Sequence, residues 1–302
     1  MELISLTCKS VGVRFVQRRR TFGILGVKRR TGKHARLSRG MAHHSLRTAL
    51  NSGKPAFGVR LVNPGYFHAR TVAQSSPRLV WVLVDCEHGL ISLVPGASES
   101  VAGIASSSAS AIVRIPATGG SDSTSWQIKH ALDSGAHGVL VPMVSTAEEA
   151  RKIAVYSRFP PAGECLGSPF ARGTWSLNMS LETANQHVLV VVQIETREGV
   201  ENVEKIAAVE GIDALFTGVY DLSLSLGYAP PSPDPNPDVE VIIQRILRTA
   251  HAANKKCGII CTSGTQAASR AAQGFDMISI TTDTESMTQA ISGHLTCAVD
   301  DR

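Results

Sequence analysis

The sequence predicts an α/β protein in which strands and helices alternate and close into a single (β/α)8 barrel. From about residue 49, short runs rich in β-branched residues alternate with amphipathic stretches, which is the pattern of βα units around a parallel sheet. The chain has 302 residues, 43% of them hydrophobic, which is enough for one large core of barrel size. A doubly wound open sheet is the alternative, but no Gly-x-Gly-x-x-Gly follows the first strand.

The individual elements follow from apolar runs that end at polar or turn-forming residues. The run Leu79–Val84 is almost continuously apolar, as expected of a strand buried on both faces. Thr146 and Glu149 form the capping-box pattern that begins a helix. The segment from Pro160 to about residue 180 is irregular, which leaves the number of βα units at eight or nine. In chain order the predicted strands are Ala56–Val62, Leu79–Val84, Ala111–Arg114, Gly138–Val141, His187–Ile194, Ile212–Phe216, Lys256–Ile260 and Met277–Ile280. Helices are predicted near Pro64 and over Asp122–Leu132, Arg197–Ala208 and Val239–Ala253.

Positive charge is concentrated at the start of the chain. The first 50 residues hold 12 of the 30 Lys and Arg residues but only Glu2 of the 25 acids, so the remainder is net acidic although the total is +5. Such Arg-rich, acid-poor starts are typical of mitochondrial transit peptides. We therefore interpret residues 1–48 as a basic extension and residues 49–302 as the barrel, in a mitochondrial or cytoplasmic protein. The alternatives are a disordered basic arm or a true start at Met41. A nucleic-acid-binding arm is disfavoured because few aromatic residues are interleaved with the charges.

Two other classes of protein are disfavoured by composition. The six cysteines are scattered and form no Cys-x-x-Cys pair, so neither a disulfide framework nor a zinc site is expected. No run of about 18 apolar residues exists, so we expect no membrane span.

Polar residues at the ends of the apolar runs are the candidates for chemistry, because barrel enzymes act at the carboxyl ends of their strands. Glu195 follows one strand, and Asp221 lies a few residues past the next. Their carboxylates are hard oxygen ligands suited to Mg²⁺ or Mn²⁺, which takes one or two carboxylates and leaves room for substrate. The alternative is that both acids only cap the helices that follow.

Arg114 and His88 are the other candidates. Arg114 ends an apolar strand, where a charge is costly unless it is paired by a ligand, by Asp85 or by Glu195. His88 follows Asp85 in an Asp-x-x-His pattern and is a candidate general base whose tautomer and pKa Asp85 would set. The alternative is an ordinary loop histidine.

Five ordered motifs over about residues 49–293 resemble the HpcH/HpaI aldolase family, which comprises metal-dependent 2-oxo acid aldolases. The segment Lys255–Thr262, with the stretch around residue 130, is particularly similar to a fungal branch that includes macrophomate synthase. The five motifs are Asp85–Gly89, Val113–Pro116, Lys129–Ala136 with Val141–Val144, Val192–Thr196 and Phe216–Leu222.

The resemblance implies a role for each candidate residue. Glu195 and Asp221 would bind a divalent metal, Mg²⁺ first and Mn²⁺ or Co²⁺ as alternatives, with Gln193 beside it. Arg114 would bind the 2-oxo group and stabilise an enolate. His88 with Asp85 would move protons, and Glu87 would support the loop. Backbone amides near Gly218, Tyr220 and Asp221 would hold the substrate carboxylate.

The implied reaction is cleavage of a 4-hydroxy-2-oxo acid to pyruvate and an aldehyde through a pyruvate enolate held at the metal. Decarboxylation of oxaloacetate, a citrate lyase β-like reaction on a CoA thioester and a non-catalytic binding barrel are the alternatives. The expected partners are small 2-oxo acids and aldehydes, with no nucleic acid or membrane. The resemblance also implies a homo-oligomer, either a hexamer or a trimer of dimers.

One segment departs from the family pattern. The family usually has an Arg-Gly pair after Pro-Pro-x-Gly, whereas Pro160–Gly163 runs into Glu164–Gly167 with no arginine and one residue fewer. Because this loop would lie over the substrate, we expect an altered affinity or specificity.

Overall fold

The computed structural model describes residues 44–116, 123–164 and 181–300. Eight parallel strands pair in chain order, and the last pairs with the first, so the sheet is a closed barrel and the open-sheet alternative is wrong. The predicted (β/α)8 fold is therefore confirmed. The strands are β1 (Ala56–Leu61), β2 (Trp81–Asp85), β3 (Ser110–Arg114), β4 (Gly138–Val141), β5 (Leu189–Ile194), β6 (Ala214–Thr217), β7 (Lys256–Ile260) and β8 (Met277–Thr282).

The helices surround this sheet, apart from the first, which precedes β1. They are α1 (Ser45–Asn51), α2 (Tyr66–Ala73), α3 (Gly96–Ile104), α4 (Ser123–Asp133), α5 (Ala147–Tyr156), α6 (Leu181–His187), α7 (Arg197–Glu201), α8 (Val203–Ala207), α9 (Val219–Ser225), α10 (Pro237–Ala252), α11 (Gly264–Ala272) and α12 (Asp283–Asp300). None of the helices described is both long and apolar enough to cross a membrane.

Side chains fill the amino-terminal end of the barrel, which leaves the carboxyl end for a site. Trp81 at the start of β2 and Phe216 of β6 pack edge to face inside the barrel, and the indole N–H of Trp81 donates to the carbonyl of Ala56 at 2.9 Å. Leu46 and Leu50 of α1 join this core and close its lower end. The helix α1, which begins at Ser45, therefore packs on the barrel although it precedes residue 49 for most of its length.

Two predicted elements are corrected. The single helix expected over Arg197–Ala208 is divided at Asn202, whose side-chain amide donates to the carbonyl of Ser145 at 3.0 Å. His187 ends α6 rather than beginning a strand, and β5 begins at Leu189.

Residues 165–180, which include most of the loop without arginine, lie outside the described residues. The predicted capping box at Thr146 and Glu149 is present.

Candidate active site

A cavity of about 460 Å³ opens at the carboxyl end of the barrel. Asp85 and Arg114 end the neighbouring strands β2 and β3, and Glu195 directly follows β5. Asp85 and Glu195 are buried and contact residues of the cavity wall. The other predicted site residues lie in that wall: His88, Arg114, Gln193, Gly218, Tyr220 and Asp221. The fold thus brings all the predicted residues to one rim.

Asp85 and Arg114 form a buried ion pair across β2 and β3, where they occupy paired positions. Nε of Arg114 donates to Oδ1 of Asp85 at 2.9 Å, and Nη2 donates to Oδ2 at 2.5 Å. Burial by itself would raise the pKa of Asp85, but the hydrogen bonds and charge of Arg114 hold it below its ordinary value. The pair fixes the Arg114 guanidinium at the cavity wall as a permanent positive charge.

The expected pairing of Asp85 with the imidazole of His88 is wrong. Oδ1 of Asp85 accepts the backbone N–H groups of Glu87 and His88, at 3.1 and 3.2 Å, and so shapes the loop rather than the histidine ring. The ring of His88 is 57% exposed, and its Nε2 lies 3.6 Å from Oε2 of Glu87. Asp85 takes Arg114 instead because the strand register places the two side by side.

Glu87 carries more of the site than the loop-supporting role expected of it. Its side chain is only 8% exposed, and Oε2 lies 3.1 Å from Nη1 of Arg114 without an N–H aimed at it in hydrogen-bond geometry. Burial raises the pKa of Glu87 to about 7, against the charge of Arg114, and the carboxylates of Glu195, Asp85 and Asp221 add to the rise. Glu87 is therefore a buried acid able to gain or lose a proton near neutral pH. The feature of the sequence that could have indicated this role is the second acid of the Asp-x-Glu-His pattern that begins at Asp85.

Glu195 is held by two donors at the end of β5. The N–H of Met143 donates to Oε1 at 2.7 Å, and the side-chain amide of Gln193 donates to Oε2. Met143 adopts a positive φ of 59°, a strained conformation of the kind that clusters at functional sites. Burial raises the pKa of Glu195 despite these bonds. Thr196, not Glu195, caps the following helix, so the capping alternative is wrong for Glu195.

Gly218 leaves the space that this carboxylate occupies. A Cβ on Gly218 would overlap Oε2 of Glu195 and lie 2.8 Å from Nε2 of Gln193. The N–H of Gly218 donates to the carbonyl of Ile194 at 3.2 Å and is thus engaged within the barrel. That backbone amides near Gly218, Tyr220 and Asp221 hold the substrate carboxylate stays a prediction. The first hydrogen bond within α9 is donated by the N–H of Leu222, so the N–H groups of Tyr220 and Asp221 have no acceptor inside the helix.

Asp221 lies in the first turn of α9, whose N-cap is Gly218. Its carboxylate is close enough to raise the pKa of both Glu195 and Glu87. The carboxyl groups of Asp85, Glu87, Glu195 and Asp221 thus lie within electrostatic range of one another around the rim, whereas Arg114 and Arg60 supply two positive charges there. A divalent cation would offset the excess.

Arg60 on β1 is a site residue that the sequence reasoning missed. It lines the cavity, and its Nε lies 3.9 Å from Oδ2 of Asp85. The signal that pointed to Arg114, a charge near the end of an apolar strand, is also present in Ala56–Leu61.

The proline-rich segment after α9 forms the other side of the cavity mouth. Gln266 of α11 donates to the carboxylate of Asp234 at 3.1 Å and accepts the N–H of Thr262 at 2.9 Å. Nearby Arg270 makes two hydrogen bonds to the carboxylate of Glu240, at 2.6 and 2.8 Å. These bonds tie the segment to α10 and α11 and leave Arg270 fully paired.

Comparison with known proteins agrees with this geometry. Residues 74–290 match a family model described as HpcH/HpaI aldolase/citrate lyase. The chain is 34% identical to a hydroxypyruvate/pyruvate aldolase of Rhizorhabdus wittichii, over 80% of this chain and 92% of that one. It is 36% identical to a 4-hydroxy-2-oxo-heptane-1,7-dioate aldolase of Shigella flexneri, over 72% and 79%. The crystal structure of macrophomate synthase superposes with a TM-score of 0.73 at 25% identity, over 86% of this chain and 90% of that one.

Proposed function

Because the chain belongs to the HpcH/HpaI aldolase/citrate lyase family and is a carbon–carbon lyase, we propose that it cleaves 4-hydroxy-2-oxo acids to pyruvate and an aldehyde with Mg²⁺ as its metal. One observation carries the proposal. Glu195 and Asp221, the two acids suited to a divalent metal, adjoin the fixed positive charge of Arg114 at the rim of one cavity. A 2-oxo acid needs both kinds of group, a cation to chelate it and a donor at its oxygen.

The residues at this corner fit a divalent cation. Oε1 of Gln193 is buried and has no hydrogen-bond partner among the described residues, and Gly218 keeps the space beside Glu195 free. In the described residues no three His, Cys, Asp or Glu side chains are placed so that they could hold a metal ion together, so the proposal rests on two carboxylates, a number that Mg²⁺ commonly takes. Glu195 and Asp221 would hold the ion. When bound there, it would supply Lewis acidity to the 2-oxo group and carboxylate of the substrate.

Arg114 would stabilise the oxygen that becomes negative when the carbon–carbon bond breaks. Its guanidinium is fixed by Asp85 and Glu87, so little reorganisation accompanies the reaction. We expect Arg114→Ala to lower kcat by about 10²- to 10³-fold, the loss typical of one donor to a developing oxyanion. An Arg114→Ala enzyme with unchanged kinetics would contradict this role.

Glu87 and His88 would move the protons. His88 reaches the cavity and solvent, and Glu87 lies behind it, with Oε2 3.6 Å from Nε2 of His88. In the cleavage direction one base must take the proton of the 4-hydroxyl group, and the enolate carbon must later gain a proton. The adjacent pair supplies a route between cavity and solvent for both transfers.

Decarboxylation of oxaloacetate is a second candidate reaction. It forms the same enolate without removal of a hydroxyl proton, so it requires only part of the same site. The same Arg114 and metal corner would serve it.

A pyruvate-release assay tests the function. Both 4-hydroxy-2-oxo acids and oxaloacetate are offered to the enzyme with EDTA, then with added Mg²⁺, Mn²⁺ or Co²⁺. We expect EDTA to abolish release and metal to restore it. Glu195→Ala with Asp221→Ala should lose activity and Mn²⁺ binding measured by titration calorimetry. The matched control replaces the exposed acids Glu201 and Glu210. Undiminished activity in the Glu195/Asp221 double variant would overturn the proposal.

A homo-oligomer is proposed from the last helix. In α12 every residue from 286 to 299 is exposed, and Met287, Ile291, Leu295 and Val299 recur every fourth residue, which aligns them on one face. Exposed apolar stripes of this kind mark association sites. Ile291→Asp with Leu295→Asp should lower the mass measured by light scattering after gel filtration, whereas Gln289→Asp with Gly293→Asp on the other face should not. An unchanged mass for both variants would contradict it.

A further inference from the structure

Glu195 and Asp221, the two acids proposed to hold the metal, form what is called here the metal corner. Arg60 lies on the wall of the cavity across the barrel from Glu195. In a closed barrel of eight strands in chain order, β1 is four strands from β5 in either direction. Glu195 follows β5, and Arg60 is near the end of β1. The cavity extends from the metal corner to the side of β1, β7 and β8, where Arg60, Ile260 and Glu285 line it, so it offers space there for the other end of a substrate held by its pyruvate part.

The guanidinium of Arg60 makes no hydrogen bond with any residue of the described ranges. Its Nε is buried without a partner, and its side chain is 24% exposed toward the cavity. The nearest carboxylate oxygen, on Asp85, is 3.9 Å away and is already bonded by Arg114. Within the part of the chain that the structure describes, Arg60 is thus a partly buried cation with one distant carboxylate and no hydrogen-bond partner.

The other two acids near Arg60 are also committed. The carboxylate of Asp283 accepts hydrogen bonds from the backbone N–H of Val62 and from Asn63, and it pairs with His68 at 2.7 Å. The carboxylate of Glu285 accepts the backbone N–H of Thr282 at the start of α12. Burial and the charge of Arg114 lower the pKa of Arg60, which agrees with an incomplete set of partners.

We propose that Arg60 binds a carboxylate at the far end of the substrate, so that the preferred substrates are 4-hydroxy-2-oxo dioic acids and the aldehyde released carries an acid. The proposal rests on the aldolase function proposed above. Arg270 is the other cation of this part of the wall, but Glu240 already pairs it. The two named aldolase relatives differ in substrate, so family membership alone leaves the choice open.

The reaction itself is unchanged by this contact. The bond between C3 and C4 breaks, its electron pair stays on C3 as the enolate, and the 4-hydroxyl proton passes to the base as C4 becomes the aldehyde. The far carboxylate takes no part and only anchors the leaving aldehyde. An uncharged far end would leave Arg60 desolvated and unpaired, which is the basis of the discrimination.

The test compares cleavage of 4-hydroxy-2-oxoheptane-1,7-dioate with that of its 7-amide, which has nearly the same shape but no charge at the far end. The hexane and octane dioates are included to vary the distance between the two carboxylates. We expect wild type to favour a dioate in kcat/KM by about 10- to 100-fold, the value of one charge-assisted hydrogen-bonded pair. Arg60→Gln should remove that preference and leave cleavage of the amide within about threefold. Arg60→Lys should retain part of it. Arg151→Gln, an exposed arginine on α5, is the control and should resemble wild type.

The outcomes separate the two proposals. If wild type releases pyruvate from neither the dioates nor the amide, the aldolase function fails. If it cleaves them without a preference, or if Arg60→Gln keeps the preference, the role of Arg60 is overturned. A variant that loses dioate and amide cleavage equally would also overturn it, because Arg60 would then act only through Asp85 and Arg114.

Discussion

Asp85→Asn tests the buried ion pair on which the site is built. The side chains of Asp85 and Arg114 are 0% and 2% exposed. Oδ1 of Asp85 accepts three donors, so the asparagine oxygen should remain there and its NH2 group should replace Oδ2, facing the Nη2 donor of Arg114. Breaking a buried pair in this way costs about 3–5 kcal/mol. Glu87 remains near Arg114, so we expect about 3 kcal/mol, or a Tm lower by about 6–12 °C.

Urea unfolding monitored by circular dichroism measures this loss. Glu204→Gln is the control, because Glu204 pairs with Arg245 in the same two-pronged geometry on the surface, where a pair contributes about 1 kcal/mol or less. The double variant Asp85→Asn with Arg114→Met should be less destabilised than the sum of the single variants, since the unpaired charge is gone. An Asp85→Asn protein no less stable than Glu204→Gln would refute the reasoning.

Three further predictions concern other parts of the chain. Gly218→Ala should abolish most pyruvate release because its Cβ would displace Glu195, whereas Gly264→Ala, which has open space around it, should leave the rate unchanged. His44, whose pKa is lowered to about 2 mainly by burial, stays neutral in the fold while the unfolded chain gains a proton below pH 6.5. The free energy of unfolding should therefore fall by about 2 kcal/mol from pH 7 to 5 on its account, and His44→Asn, which keeps a cap acceptor, should flatten that part of the urea-unfolding profile. We also propose that residues 1–48 direct the chain to mitochondria; import with cleavage before about residue 50 would support this, and a protein that starts at Met41 by mass spectrometry would contradict it.

The sequence alone was enough to predict the barrel and its rim of polar residues. Both follow from local patterns, because the alternation of apolar runs specifies βα units and the strand ends of a parallel sheet share one edge. Gly138–Val141 and Lys256–Ile260 were predicted with their observed bounds. Glu195 and Asp221 could be selected for the same reason.

Only the tertiary structure decided which of these groups contact each other. Asp85 and Arg114 are 29 residues apart and meet because β2 and β3 pair in register, which displaces His88 from the predicted partnership. Asn202, where the predicted helix divides, bonds a carbonyl 57 residues away. Arg60 faces the metal corner because the sheet closes on itself. Register and closure depend on packing over the whole barrel, so no local pattern of residues contains them.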